Sequence, residues 1–191
     1  MREGKTVLIS ALRRAGACAI ALSLFLGLSA ATPVYSATVS IGSGTGTWNY
    51  PIKPNYPSAR TQVIYLASEV GESAAISAVE LYITSVDEAV DNWTIRMKQS
   101  TQGAYNSEVF DNADWTVVHE SAQITTQAGW NAFTLSTPFI HESGKNLMVD
   151  FSYTSESTYN GALCRYTERT STRCIYAQGY GGNPQLFTGG T

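Results

Sequence analysis

Alternation of apolar and polar residues runs through most of this chain and constrains its fold more than any other feature. Every second residue is apolar in three stretches, residues 79–84, 93–98 and 147–153. Because successive side chains of a β-strand point to opposite faces, each stretch predicts a strand with one face in a core and the other in water. Less regular stretches predict six more strands, at residues 38–41, 62–66, 116–119, 132–135, 162–166 and 173–177.

The segments between these stretches have the composition of turns. Gly, Asn, Asp, Ser and Pro are frequent at residues 86–92, 100–114, 127–129, 142–145 and 179–184. Residues 67–78 are the one stretch that could form a short helix. Eight to ten short strands predict an all-β fold, a two-sheet antiparallel β-sandwich of jelly-roll-like or Greek-key arrangement. An immunoglobulin-type sandwich is less favoured because its Cys–Trp–Cys spacing is absent.

Residues 1–36, called the leader below, have the pattern of a secretory signal peptide. Four basic residues precede an apolar run at 15–28, and Val34 and Ser36 suit the −3 and −1 positions of a cleavage site before Ala37. A membrane anchor is less favoured because a spanning helix needs about 20 apolar residues, and the apolar run at residues 15–28 is shorter. We therefore expect a secreted or cell-surface protein whose residues 37–191, called the module below, form one β-sandwich domain.

The charge of the module limits its partners. Without the leader, 8 basic and 14 acidic residues remain, which is a net charge of −6. An acidic surface repels phosphate backbones and anionic lipids, and the module has no second apolar stretch of spanning length. We expect no nucleic-acid partner and no membrane insertion after cleavage.

Two of the three cysteines, Cys164 and Cys174, belong to the module. They flank a segment that predicts two strands around a turn, and an exported protein can form disulfides. A bond would add about 2–3 kcal/mol to stability. However, the pairing that brings the cysteines together would also place Arg165 opposite Arg173, which is unfavourable. A disulfide and two buried thiols both remain open.

No motif indicates an enzyme. The two histidines lack the spacing of a zinc site on a helix, and no Gly-x-Ser-x-Gly sequence is present. The glycine-rich segment 42–47 is followed by prolines instead of a helix, so it does not predict a phosphate loop. We expect no catalytic residues and no cofactor.

Two acidic clusters are candidates for a calcium site. Each lies in a predicted loop, and loop carboxylates suit a cation that takes six to eight oxygen ligands. Neither cluster has the register of a dedicated calcium loop, so solvated turn residues are the alternative. The candidate ligands are Asp87, Glu88, Asp91, Asp111 and Asp114.

Aromatic residues in the predicted loops are the strongest sign of a ligand. The chain has 11 tyrosines and four tryptophans, and several lie among Gly, Asn, Ser and Thr. Amphipathic rings on loops can stack against sugars or anchor protein partners. They can also merely close the ends of a sandwich. The candidate binding residues are Trp48, Tyr50, Tyr56, Tyr105, Tyr159 and Tyr180.

Several segments in order carry a resemblance to a known type of domain. They include Trp48-Asn49-Tyr50-Pro51, residues 58–62 and 64–69, Asn92-Trp93-Thr94-Ile95-Arg96-Met97-Lys98, residues 115–118, 129–130, 137–139 and 146–152, Cys164-Arg165-Tyr166 and residues 175–177. Together they make the module similar to a β-sandwich accessory module of large secreted and surface multidomain proteins of bacteria, found beside lectin-like and adhesion-type modules.

The resemblance implies an accessory role without catalysis. It also implies a further strand after residues 179–190, so we expect the module to lack its last strand and to be a fragment of a longer protein. The leading expectation is a binding or adhesive role toward polysaccharide, cell-surface protein or other surface macromolecules. Two alternatives are an accessory domain of a larger secreted hydrolase and a structural spacer without a ligand.

Overall fold

The fold consists almost entirely of β-strands. The computed structural model describes residues 4–7, 9–15, 36–52, 55–86, 89–156 and 162–190. The strands are β1 (Gly4–Val7), β2 (Ile9–Ala15), β3 (Ser36–Ile41), β4 (Gly46–Trp48), β5 (Ser58–Tyr65), β6 (Ala74–Ser85), β7 (Val90–Ser100), β8 (Thr116–Ile124), β9 (Gly129–His141), β10 (Asn146–Thr154), β11 (Leu163–Arg169) and β12 (Cys174–Gly179). One helical turn, α1 (Ala67–Val70), and a 3₁₀ turn (Pro184–Leu186) accompany them.

Two antiparallel sheets make up the molecule. The first has the order β1-β11-β6-β2-β3, with β4 also paired to β11 and β9 also paired to β6. The second has the order β12-β5-β10-β7-β8. The predicted two-sheet antiparallel β-sandwich is thereby confirmed. Within the described residues, no helix is long and apolar enough to cross a membrane.

The core lies between the two sheets and contains the apolar residues of the alternating stretches. Leu81 of β6, Trp93 of β7 and Phe151 of β10 are completely buried there. The ring centroid of Trp93 lies 5.8 Å from that of Phe151 and 5.5 Å from that of Phe133. The prediction that these alternating sets face a core is therefore confirmed.

The prediction that the other face of each alternating stretch meets water is wrong for residues 93–98 and 147–153. Thr94 and Arg96 of β7 are buried. Met148, Asp150 and Ser152 of β10 are buried, and β5 is buried along its whole length. Alternation shows that two faces differ in polarity, but it cannot show whether distant parts of the chain cover the polar one.

Two segments, residues 101–115 and 180–190, cover this second face and are called the cover below. Tyr105 and Phe110 of the cover form a second apolar cluster with Ile64, Met148 and Ile175. The backbone N–H of Phe110 donates to the carbonyl of Thr188, which ties the two segments together. The second sheet is therefore buried on both sides in its middle.

Buried charges fasten the cover to the sheet. Arg60 donates to the carboxylate of Asp150 at 2.7 Å, and both side chains are fully buried. The same guanidinium donates to the carbonyls of Asp111 and Phe187 at 3.1 and 2.9 Å. Because a buried guanidinium needs acceptors for its N–H groups, these contacts fix the position of both cover segments.

The predicted helix at residues 67–78 extends over one turn only. It ends at Val70, and Gly71 has a φ of 83°, in the left-handed region that glycine adopts without strain. After it, β6 begins at Ala74 and buries Ile76.

The leader prediction falls mostly on residues that the structure does not describe. The apolar run and the cleavage site, apart from Ala15 and Ser36, lie outside the described residues. The backbone of β1 pairs with β11, and β2 lies between β6 and β3 in the first sheet. The signal peptide remains a prediction.

The two strands predicted around a turn between the cysteines are present as β11 and β12, but they do not pair with each other. Cys164 lies on β11 in the first sheet and Cys174 on β12 in the second. Both are buried in the core, and they are not joined in a disulfide. Burial raises the pKa of Cys164 to about 12, so its thiol is protonated at neutral pH.

Candidate functional site

An open cleft of about 280 Å³ lies where the chain passes from the first sheet to the second. Its lining comes from β12 and from the segment between β4 and β5, residues 49–57, called the crossing segment below. The six lining residues are Asn49, Tyr50, Asn55, Tyr56, Tyr176 and Gln178.

The strand pairing explains why these residues meet. Asn49 and Tyr50 follow β4, and Asn55 and Tyr56 precede β5. Strand β12 pairs antiparallel with β5, so the end of β12 lies beside the beginning of β5. Tyr176 and Gln178 are two residues apart and therefore share the same face of β12. The crossing segment consequently passes alongside this face.

Tyr176 is the centre of a cluster of aromatic rings at the cleft. Its ring centroid lies 4.0 Å from that of Tyr50 and 4.9 Å from that of Trp48. The Trp48 and Tyr50 centroids are 4.7 Å apart, and the planes of the two rings meet at 52°. Such tilted and edge-to-face packing stabilises aromatic groups beyond the area that they bury. The rings therefore hold one another in place.

Tyr56 and Tyr180 form a second aromatic pair on this side of the molecule. Their ring centroids are 4.9 Å apart. Tyr56 is half-buried and lines the cleft, whereas Tyr180 is 82% exposed. An exposed ring beside a lined cleft extends the apolar surface that a ligand can contact.

Neutral polar groups complete the lining. Asn49, Asn55 and Gln178 each carry an amide, which can both donate and accept hydrogen bonds. The Tyr50 hydroxyl donates to Oε1 of Gln178, and burial raises the pKa of this hydroxyl well above its usual range. None of the six lining residues carries a formal charge at neutral pH. The lining suits a neutral ligand with hydroxyl groups.

The structure gathers four of the six predicted aromatic residues and separates one. Tyr50 and Tyr56 line the cleft, Trp48 packs behind it and Tyr180 lies beside Tyr56. Tyr105 is buried in the cover, where its hydroxyl is 3.4 Å from Oε1 of Gln62. Tyr159 lies outside the described residues.

Sequence reasoning missed four lining residues. The sequence pattern places Tyr176 in a predicted strand, and composition alone does not distinguish Asn49, Asn55 and Gln178 from other loop or strand residues. The alternation of Tyr176 and Gln178 on one strand was a usable signal, since it places a ring and an amide on the same face. Only the strand order shows that this face adjoins the crossing segment.

The calcium prediction is untested, and two of its five residues lie outside the part of the chain that the structure describes. Asp87 and Glu88 lie outside the described residues. Asp111 pairs with Lys98, and Asp91 accepts a hydrogen bond from Gln123 at 2.8 Å. In the part of the chain that the structure describes, no three His, Cys, Asp or Glu side chains come together as metal ligands. Calcium binding stays a prediction.

Comparison with known proteins gives no relative: no family model, no curated protein and no solved structure matches the chain significantly. The resemblance to bacterial accessory modules therefore stays an expectation.

Proposed function

We propose that the module is an exported, non-catalytic domain that binds neutral carbohydrate in the cleft. The observation that carries this proposal is the composition of the lining, in which three tyrosine rings are combined with three amides and with no formal charge. The proposal covers the binding role alone and assigns no catalytic residue.

The chemistry of sugars matches these two kinds of group. A pyranose ring presents C–H groups on its faces, which stack on aromatic rings, and hydroxyl groups at its rim, which donate and accept hydrogen bonds. Asn and Gln amides do both. The cleft volume of about 280 Å³ is slightly smaller than that of most ligand pockets, so it suits a short sugar segment.

Charge favours neutral glycans over acidic ones. The module has a net charge of −6, which repels uronic acids and sulfated sugars. The lining offers no Lys or Arg that would offset this repulsion. A neutral polysaccharide therefore fits better than an anionic one.

Native affinity electrophoresis of the full chain tests this proposal. The gels contain either a neutral polysaccharide, such as a glucan, mannan, galactan or xylan, or an acidic one, such as a polyuronate. We expect at least one neutral polysaccharide to retard the chain and the acidic ones to leave it unretarded, because only the neutral ones meet the demands of the lining.

Single substitutions locate the binding site. Tyr176→Ala removes the central ring and Gln178→Ala removes an amide at the surface of the same strand, and both should abolish retardation. Trp130→Ala is the matched control, because Trp130 is 42% exposed but does not line the cleft. The proposal is wrong if no neutral polysaccharide retards the chain, or if folded Tyr176→Ala and Gln178→Ala variants behave like Trp130→Ala. A spacer domain without a ligand gives the first of these results.

A further inference from the structure

Strand β2 fills a position that has a strand on each side. On one side it pairs antiparallel with β3, from Ile9 opposite Ile41 to Ala15 opposite Ser36. On the other side it pairs antiparallel with β6, from Ile9 opposite Leu81 to Ala15 opposite Ala75. In the described residues, β3 reaches the rest of the first sheet only through β2.

This side of β6 depends on β2. The opposite side of β6 is paired with β9, and β11 pairs with β6 only at Ile83 and Ser85. Between residues 75 and 81, β2 is therefore the strand that satisfies the outward backbone groups of β6. Without β2, these backbone groups would have no strand partner in the described part of the sheet.

The same strand belongs to the leader. Residues 9–15 precede the cleavage site expected before Ala37, so cleavage and loss of the leader would remove β2 from the sheet. The edge of β6 and the inner edge of β3 would then both expose unpaired backbone groups. Such edges bind extended segments readily.

We propose that the space between β6 and β3 is a strand-acceptor site, filled by residues 9–15 while the leader is attached and by an extended strand of another polypeptide once the leader is gone. The partner class is a peptide that binds by adding a strand. Main-chain hydrogen bonds to both flanking strands supply its affinity.

The flanking residues define what the partner strand must look like. Ile41, Ile76 and Leu81 are buried core residues on the two sides of the site. Ile41 and Leu81 both lie opposite Ile9, so a partner needs an apolar residue at this position of the site. It spans about seven residues, like β2, and runs antiparallel to β6.

A shift of β3 into the site is the competing outcome. Both β3 and β6 are antiparallel to β2, so β3 would pair with β6 in parallel. It would have to move by one strand spacing, about 4.8 Å, and Ile41 is buried in the core at its present position. The buried position of Ile41 favours a third strand over this shift.

This proposal rests on the export part of the proposed function and not on carbohydrate binding. Its test therefore cuts the leader in vitro. A site-specific protease sequence is placed between residues 16 and 35 of the full chain, which separates β2 from β3 on cleavage. The probe is a fluorescent synthetic peptide of residues 4–15, and the same peptide with Leu12→Pro is the matched control, because proline cannot donate to a neighbouring strand.

Binding of the probe is followed by fluorescence anisotropy, and hydrogen exchange is followed at residues 75–81. We expect the uncut chain to leave the probe unbound. The cut chain, freed of its leader fragment, should bind the probe but not the Leu12→Pro peptide. Exchange at residues 75–81 should become about tenfold faster or more after cutting, and the probe should restore the original rate.

Two results would overturn the proposal. In the first, the cut chain binds no probe and residues 75–81 stay as protected as before, which means that β3 closes the site. In the second, the cut chain unfolds and the probe does not restore its fold. Glycan retention of the cut chain is measured separately, and its loss or survival bears on the proposed function alone.

Discussion

Asp150 is the residue on which the buried charges of the second sheet converge. Its carboxylate accepts hydrogen bonds from Arg60 at 2.7 Å, Arg96 at 2.9 Å and Gln62 at 2.7 Å. Asp150 and Arg60 are fully buried. Removing one partner of a buried ion pair lowers the stability of a protein by more than the intact pair adds to it, because the remaining buried charge has no counterion.

Replacing Asp150 should therefore destabilise the protein strongly. Asp150→Asn leaves two guanidinium groups without their carboxylate, and we expect the free energy of unfolding to fall by about 3–5 kcal/mol. Urea denaturation measures this change. Glu120→Gln, an exposed carboxylate on β8, is the control and should change stability by less than about 0.5 kcal/mol. Equal effects of the two substitutions would contradict the role assigned to Asp150.

The two core thiols give a second prediction at the residue scale. Cys164 and Cys174 are buried and form no disulfide, and only a thiolate reacts readily with alkylating agents. We expect iodoacetamide to leave both unmodified in the folded protein at neutral pH. In denaturant without reductant, both should be modified, as read by mass spectrometry of their peptides. If the peptides of both cysteines stay unmodified in denaturant until a reductant is added, the two cysteines form a disulfide instead.

At the scale of elements, β10 shows both the reach and the limit of sequence reasoning. Its alternation predicted a strand that buries Phe151 and Tyr153, and the structure confirms this. The burial of Asp150 on the other face could not be predicted, because it depends on a cover contributed by residues 101–115 and 180–190. The composition of those segments predicts loops, and composition does not show where a loop packs.

The cover gives a prediction of its own. Phe110 is buried, and the guanidinium of Arg60 lies 4.5 Å from the centroid of its ring. Phe110→Ala should lower the free energy of unfolding by about 3 kcal/mol or more, in the range of buried phenylalanines. Val109→Ala is the neighbouring control, since Val109 is 61% exposed. Thermal or urea unfolding of both variants checks this, and a cover that contributes no stability would make them equal.

The cleft shows the same limit at a site. Sequence reasoning found Tyr50 and Tyr56 because aromatic rings in predicted loops are conspicuous. It missed Tyr176 and Gln178 because they belong to a strand, where a tyrosine is unremarkable. Their role depends on β12 lying beside β5, and pairing between strands more than a hundred residues apart is not encoded in either strand alone.

For the molecule as a whole, the leader bears both on the expected export of the protein and on the completeness of its first sheet. The sequence predicts that residues 1–36 are removed on export, whereas the backbone of residues 9–15 completes the first sheet. Removal of the leader and a complete first sheet are compatible if another strand takes the position of β2 after cleavage. No residue of β2 lines the cleft, so the proposed carbohydrate site and the proposed strand-acceptor site are separate parts of the module.

An NMR titration shows most clearly whether the cleft binds neutral sugar. Backbone amide shifts of the isotope-labelled full chain are followed by NMR during titration with a soluble oligosaccharide of the most strongly retarding neutral polysaccharide, or with a panel of neutral oligosaccharides if none retards the chain. We expect saturable shift changes concentrated at residues 48–56 and 176–180. Changes confined to another surface, such as the surroundings of Trp130, or no changes with any neutral oligosaccharide, would contradict the account.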